Sequence, residues 1–254
     1  MEEMDTGKRF TQARTKACED LMRPEIRPLL NLPLNEKIKI SQAIIEDALT
    51  KHPKIGLGFS GGTDSLILLP LVLPLKPDIP VIFVNTQHEF PETYKFIEEV
   101  KKRYNLNFYE VKANENKFEQ FKENFGLKTP EFTTACCKYH KIDPMMRAIR
   151  DFEFTAFIVG LRGVEHEERA KETFFSPRET HMRIHPLLFW RKNDVMEFVK
   201  RENLICNPIY SQGYTSLGCI PCTEKNIDPN MHERAGRGVV RETIMERLRE
   251  LGYT

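Results

Sequence analysis

The chain has 254 residues, 40% hydrophobic and 30% charged, which excludes a disordered segment and suits an α/β domain with a sizeable core. Its 38 lysines and arginines against 37 acids leave a net charge of +1, which excludes the strongly basic footprint of an autonomous nucleic-acid binder. Six unevenly placed cysteines are too few for a disulfide scaffold.

Residues 1–37 carry acidic side chains where a signal peptide needs basic ones, and with several prolines they read as an N-terminal extension wrapped over the core. No run approaches the roughly 18 to 20 apolar residues that span a bilayer. The richest, Leu66 to Leu75, is interrupted by Pro70 and Pro74. The expectation is a soluble cytoplasmic protein without a membrane partner, its thiols reduced unless a metal holds them.

Residues 38–254 read as a single nucleotide-binding domain. Ile40, Ile44, Ile45, Ala48 and Leu49 form a helical stripe over 38–52. Buried strands over 54–59, 80–85, 107–111 and 155–160 alternate with helices over 92–104 and around 145–149. That alternation predicts a Rossmann-like parallel sheet with helices on both faces. Beyond it come a strand within 182–189 and a helix over 193–201 with Asn193 as its N-cap. A Gly-, Pro- and Cys-rich loop region covers 205–238, and a final helix over 240–251 puts Ile244, Leu248 and Leu251 on one side. That helix either packs on its own domain or serves a homodimer.

Two motifs carry chemistry. Ser60, Gly61, Gly62, Thr63, Asp64 and Ser65 stand between the first buried strand and a helix. Two glycines permit positive φ, successive N–H groups can face one concavity, and the helix dipole adds to it, so phosphate is the natural guest. Asp64 could position Mg²⁺. Neither GxxxxGK[ST] nor GxGxxG is present. The second motif is the pair Cys136-Cys137 with Cys219-Ile220-Pro221-Cys222, four soft ligands suited to an iron–sulfur cluster or to zinc. Cys18 and Cys206 read as small buried apolar side chains.

SGGTDS resembles the pyrophosphatase loop of the adenine nucleotide α-hydrolase-like superfamily, whose members cleave ATP between the α and β phosphates. TTACCKYHKIDPM, GYTSLGCIPCT and HERAGR resemble the sulfonucleotide reductases, which act on adenylylsulfate and phosphoadenylylsulfate. NTQHEFPET, GLRGVEHEERA and HPLLFWRKNDVMEF match segments of the same family. The resemblance implies a [4Fe-4S] cluster on Cys136, Cys137, Cys219 and Cys222, with Lys141 near cluster and substrate. It points to Arg162 and Arg169 as phosphate contacts.

Two departures shape the functional expectation. The reductases carry a nucleophilic cysteine after RAGR, where a thiolate attacks sulfur; residues 239–254 contain none. Their phosphate loop is commonly degenerate, whereas SGGTDS is intact. Together these resemble the adenylating subunits of DNA phosphorothioate modification and iron–sulfur tRNA-thiolating enzymes. The leading expectation is therefore ATP-dependent adenylation of an acceptor for sulfur transfer. ATP and Mg²⁺ would sit at residues 60–65, and Asp64, Lys141 and Arg162 would be the catalytic residues. A cysteine desulfurase would donate sulfur, and a nucleic-acid acceptor would be reached through a multi-protein assembly. The alternatives are an adenylylsulfate or phosphoadenylylsulfate reductase drawing on thioredoxin, and a nucleotide-sensing scaffold with a structural cluster.

Overall fold

The computed structural model describes residues 14–113, 129–226 and 232–253. A helix over 14–21 (α1) and a short 3₁₀ turn at Arg27–Asn31 lay Cys18, Met22, Ile26 and Leu30 into the main hydrophobic cluster. Helix α2 (Leu34–Lys51) follows Pro33 and buries Leu34, Ile44, Ile45 and Ala48, the face that the stripe of isoleucines predicts.

Six strands form one sheet: β1 (Ile55–Gly58), β2 (Val81–Asn85), β3 (Phe108–Lys112), β4 (Ala156–Ile158), β5 (Phe175–Pro177) and β6 (Met182–Ile184), in the order β3-β2-β1-β4-β6-β5. Leu57 faces Val81 on one side and Ile158 on the other, and β1, β2, β3, β4 and β6 are all parallel. Continuous apolar runs such as β1 and β4 need cover on both faces. Helices α3 (Thr63–Val72), α4 (Pro91–Tyr104) and α6 (Asp143–Asp151) connect or flank them. Helix α5 (Pro130–Cys137) runs into α6 through a wide π turn at Lys138–Ile142. A four-residue helix α7 (Glu167–Ala170) follows β4.

Four details depart from the sequence expectation. Strand β5 is antiparallel to β6 and closes one edge; three residues ending in a proline carry almost no periodic signal. Strand β6 stops at Ile184 because Pro186 cannot donate to a ladder, and the chain turns through Leu187–Trp190. Helix α8 (Lys192–Arg201) begins one residue early: the Asp194 carboxylate accepts the Arg191 N–H at 2.6 Å, so Asn193 is not its cap. The terminal helix is also broken at Ile244, into α9 (Val239–Thr243) and α10 (Met245–Glu250).

The segments that follow β1, β2 and β4 at their C-terminal ends carry residues 60–65, Thr86–Glu89 and Arg162. This is the edge where open α/β sheets receive ligands. No helix among the described residues is long and apolar enough to cross a membrane.

Candidate functional site

A cavity of about 540 Å³ opens at that edge. Ser60, Gly62, Thr63, Asp64, Ser65, Arg162, Arg169 and Lys141 all line it, so the structure brings these sequence-selected residues to one place.

Gly61, at φ +74°, turns the loop from β1 into α3. Ser65 Oγ accepts the Ser60 N–H at 3.1 Å and donates to the Gly62 carbonyl at 2.9 Å. The Asn207 amide ties the Gly61 carbonyl at 3.3 Å. Protein hydroxyls already take the donors expected for phosphate: Thr63 N–H donates to Tyr210 Oη at 3.3 Å and Gly62 N–H to Ser60 Oγ at 3.4 Å.

Asp64 is likewise engaged. Arg162, 2% exposed, lies 2.9 Å from Asp64, 2.6 Å from Glu233 and 3.3 Å from Glu165. Its Nη1 is buried and makes no hydrogen bond among the described residues. Burial pushes Asp64 up to about 6; Arg162 opposes that rise, and Glu165 and Glu233 add to it. Asp64 is thus a buried carboxyl braced by the Arg162 guanidinium. Arg169 pairs with Glu165 on the same wall.

The cysteines line a second chamber of about 50 Å³. Cys136 and Cys137 close α5, and the Cys219–Cys222 loop hangs from the segment after β2, where Ile220 N–H donates to the His88 carbonyl at 2.8 Å. Cys219 Sγ lies 3.3 Å from Thr86 Oγ1, which donates to Glu89 at 2.7 Å. All four cysteines line this chamber. Burial, then the sulfurs of Cys137, Cys219 and Cys222, push the Cys136 thiol up to about 12. Four thiols so placed repel one another when ionised and are stable as thiolates only around a cationic centre. Among the described residues no three His, Cys, Asp or Glu side chains are grouped to hold one metal ion.

Lys141 and Arg237 line both cavities and form the wall between them. Burial alone would push the Lys141 ammonium down, but Cys219, Tyr253 and Glu89 hold it above its usual range. Arg237 donates to the Leu217 carbonyl and, at 3.3 Å, to Thr223 Oγ1. Its path requires Gly218, where a Cβ would coincide with the guanidinium. Arg234, Arg237, Glu89, Tyr210 and Tyr253 belong to the site although sequence reasoning gave them no role. HERAGR was the available signal for the two arginines and NTQHEFPET for Glu89, while nothing local marked the two tyrosines.

The phosphoadenosine phosphosulfate reductase domain matches residues 54–225. The chain belongs to that family. The adenosine 5'-phosphosulfate reductase of Staphylococcus epidermidis is 31% identical over 215 residues, 83% of this chain and 87% of that protein. The phosphoadenosine 5'-phosphosulfate reductase of Xylella fastidiosa is 30% identical over 188 residues, covering 73% of this chain and 78% of the relative. Among solved structures, a phosphoadenylyl-sulfate reductase from Candida auris superposes with a TM-score of 0.58 at 20% identity, over 74% of this chain and 94% of the other. Candida glabrata FMN adenylyltransferase gives 0.60 at 20% identity, over 85% and 76%. These last two share the fold.

The relatives correct the leading functional expectation. They are named reductases of sulfonucleotides, not adenylating enzymes of DNA phosphorothioate modification. Within the SGGTDS loop, Tyr210 Oη accepts the Thr63 N–H, Ser60 Oγ accepts the Gly62 N–H, and Arg162 pairs with the Asp64 carboxylate.

Proposed function

We propose that this family member reduces an adenine sulfonucleotide, adenylylsulfate or phosphoadenylylsulfate, to sulfite. The observation that carries the reading is the shared wall. The nucleotide cavity and the four-cysteine chamber meet at Lys141 and Arg237, so a nucleotide in the first would place its anionic end against two cations and the sulfur-lined chamber. Arg162, Arg169 and Arg234 line the same cavity as ion-paired groups, Arg162 with Asp64, Glu165 and Glu233, Arg169 with Glu165 and Arg234 with Glu242, so Lys141 and Arg237 are the cations left to meet the anionic end.

The substrate arrives already activated, so no pyrophosphate has to leave and a filled phosphate loop is no obstacle. A thiolate attacks the sulfo sulfur, an S–S bond forms, the S–O bond breaks, and the nucleotide phosphate departs with the electron pair. A second thiolate then attacks the sulfur that carries the sulfo group. Sulfite leaves and a disulfide remains, so the dithiol supplies both electrons. Burial pushes the thiol of Cys206, which lines the cavity, up and away from ionisation, and the attacking pair is assigned to a thioredoxin-class dithiol. Lys141 and Arg237 stabilise the charge that develops on the departing oxygens.

Cys136, Cys137, Cys219 and Cys222 would hold an iron–sulfur cluster. Such a cluster would supply an electrostatic and redox centre behind the shared wall, its thiolate charge offset by Lys141, Arg237 and Arg241.

The test is anaerobic incubation of the cluster-loaded protein with each sulfonucleotide and a thioredoxin-class dithiol, and separately with ATP. Sulfite with stoichiometric AMP or adenosine bisphosphate is expected. Pyrophosphate from ATP without sulfite would overturn the proposal.

A further inference from the structure

Helix α10 ends in a turn that throws one side chain into the cavity. Gly252, at φ +89°, follows the last helical residues, with Tyr253 N–H donating to the Leu248 carbonyl and Gly252 N–H to the Arg249 carbonyl, both at 2.9 Å. This paired bonding around a left-handed glycine is the Schellman cap. It asks only for an apolar side chain at position 253, in contact with Leu248, and phenylalanine would satisfy it.

The hydroxyl needs another explanation. Tyr253 lines the nucleotide cavity, and the cap that places it is made by backbone groups alone, so the hydroxyl takes no part in it. The Arg241 guanidinium sits 4.8 Å from the ring, and Arg241, Lys141, Arg237 and Arg169 all act on the phenol, drawing it down to about 8 against the effect of burial. The turn is also fastened. Arg183 on β6, 1% exposed, donates to the Gly252 carbonyl at 3.0 Å and to His181 Nε2 at 2.8 Å. Burial and the nearby Arg178 pull the Arg183 guanidinium down while Glu172 opposes them, and Arg183 holds the carbonyl adjoining Tyr253.

We propose that the Tyr253 hydroxyl donates a hydrogen bond to the sulfo group of the bound sulfonucleotide, with Arg183 as the positioning residue that fixes its turn. The inference rests on the reductase reading, because Tyr253 shares the end of the cavity with Lys141 and Arg237. It adds a recognition contact from the C-terminal turn, which distinguishes a sulfonucleotide from AMP.

Tyr253→Phe keeps the ring, the cap contact and the stacking on Arg241, and removes only the oxygen. Calorimetric titration of intact protein and variant with adenylylsulfate and with AMP tests the contact. The expected result is at least about ten-fold weaker binding of adenylylsulfate by the variant, the scale of a lost hydrogen bond to a charged group, with AMP affinity unchanged. Unchanged affinity for both ligands, or equal loss for both, would overturn the inference. So would a fall of more than about 3 °C in the ligand-free thermal midpoint, since the oxygen would then be serving the fold. If the intact protein itself does not prefer adenylylsulfate to AMP, the reductase reading falls and takes the inference with it. A preference that survives in the variant removes the inference alone.

Discussion

Replacing Arg162 with methionine removes the cation on which Asp64, Glu233 and Glu165 converge at 2.9, 2.6 and 3.3 Å. Taking one partner from a buried ion pair costs about 3–5 kcal/mol, because the charges left behind stay desolvated. Asp64 already stands at about 6 with the guanidinium in place, raised by burial and by Glu165 and Glu233. Without Arg162 its carboxyl rises further and binds a proton near neutrality. A carboxyl raised in the folded state favours folding below its ordinary pKa, and that contribution is lost as pH climbs through the folded value. In the intact protein the loss spans 3.8 to about 6; in the variant it continues above that range. The deficit of the variant should therefore grow with pH, by at most about 1.4 kcal/mol per pH unit for the one proton. Urea unfolding of both proteins at pH values on either side of 6 reads this directly. Equal deficits at the two pH values, or a deficit below about 1 kcal/mol, would refute the idea that Arg162 neutralises a buried carboxylate cluster.

Other substitutions probe neighbouring parts of the site. Gly160→Ala would bring a Cβ to 2.6 Å from the Asp64 carbonyl and 2.9 Å from Ser65 N. Since both contacts are backbone, equilibrium unfolding should show a loss of about 1–3 kcal/mol together with weaker nucleotide binding. Tyr210→Phe frees the Thr63 N–H, so affinity for inorganic pyrophosphate should rise; an unchanged titration would mean that the hydroxyl is not occupying the anion position. Cys219→Ser should lower the iron bound after anaerobic reconstitution, and full iron content in the variant would remove the cluster assignment.

Much of the architecture is local and therefore readable. A fully apolar strand meeting Gly61 and Gly62 has few alternatives to a strand–loop–helix unit, and adjacent cysteines with a CxxC leave few uses for four thiols in a reduced chain. What escaped the sequence depends on distant partners. Thr63 meets Tyr210 across 147 positions, and no pattern near SGGTDS shows that its donors are taken. Arg162 lines the cavity, and its three carboxylates arrive from α3, the turn after β4 and the HERAGR segment. Tyr253 lies beyond the helix expected over 240–251 and drew no expectation, because the break at Ile244 and the turn at Gly252 that aim it inward have no periodic signature.

The wall made by Lys141 and Arg237 has a thermodynamic consequence. Two side chains that face both chambers cannot respond to charge in one without altering the other. Whatever factor a change in the cysteine chamber imposes on nucleotide affinity, bound nucleotide must impose the same factor in return. Oxidation or loss of the chamber's contents should thus show itself first as altered nucleotide binding, and saturating nucleotide should protect the thiols from exchange.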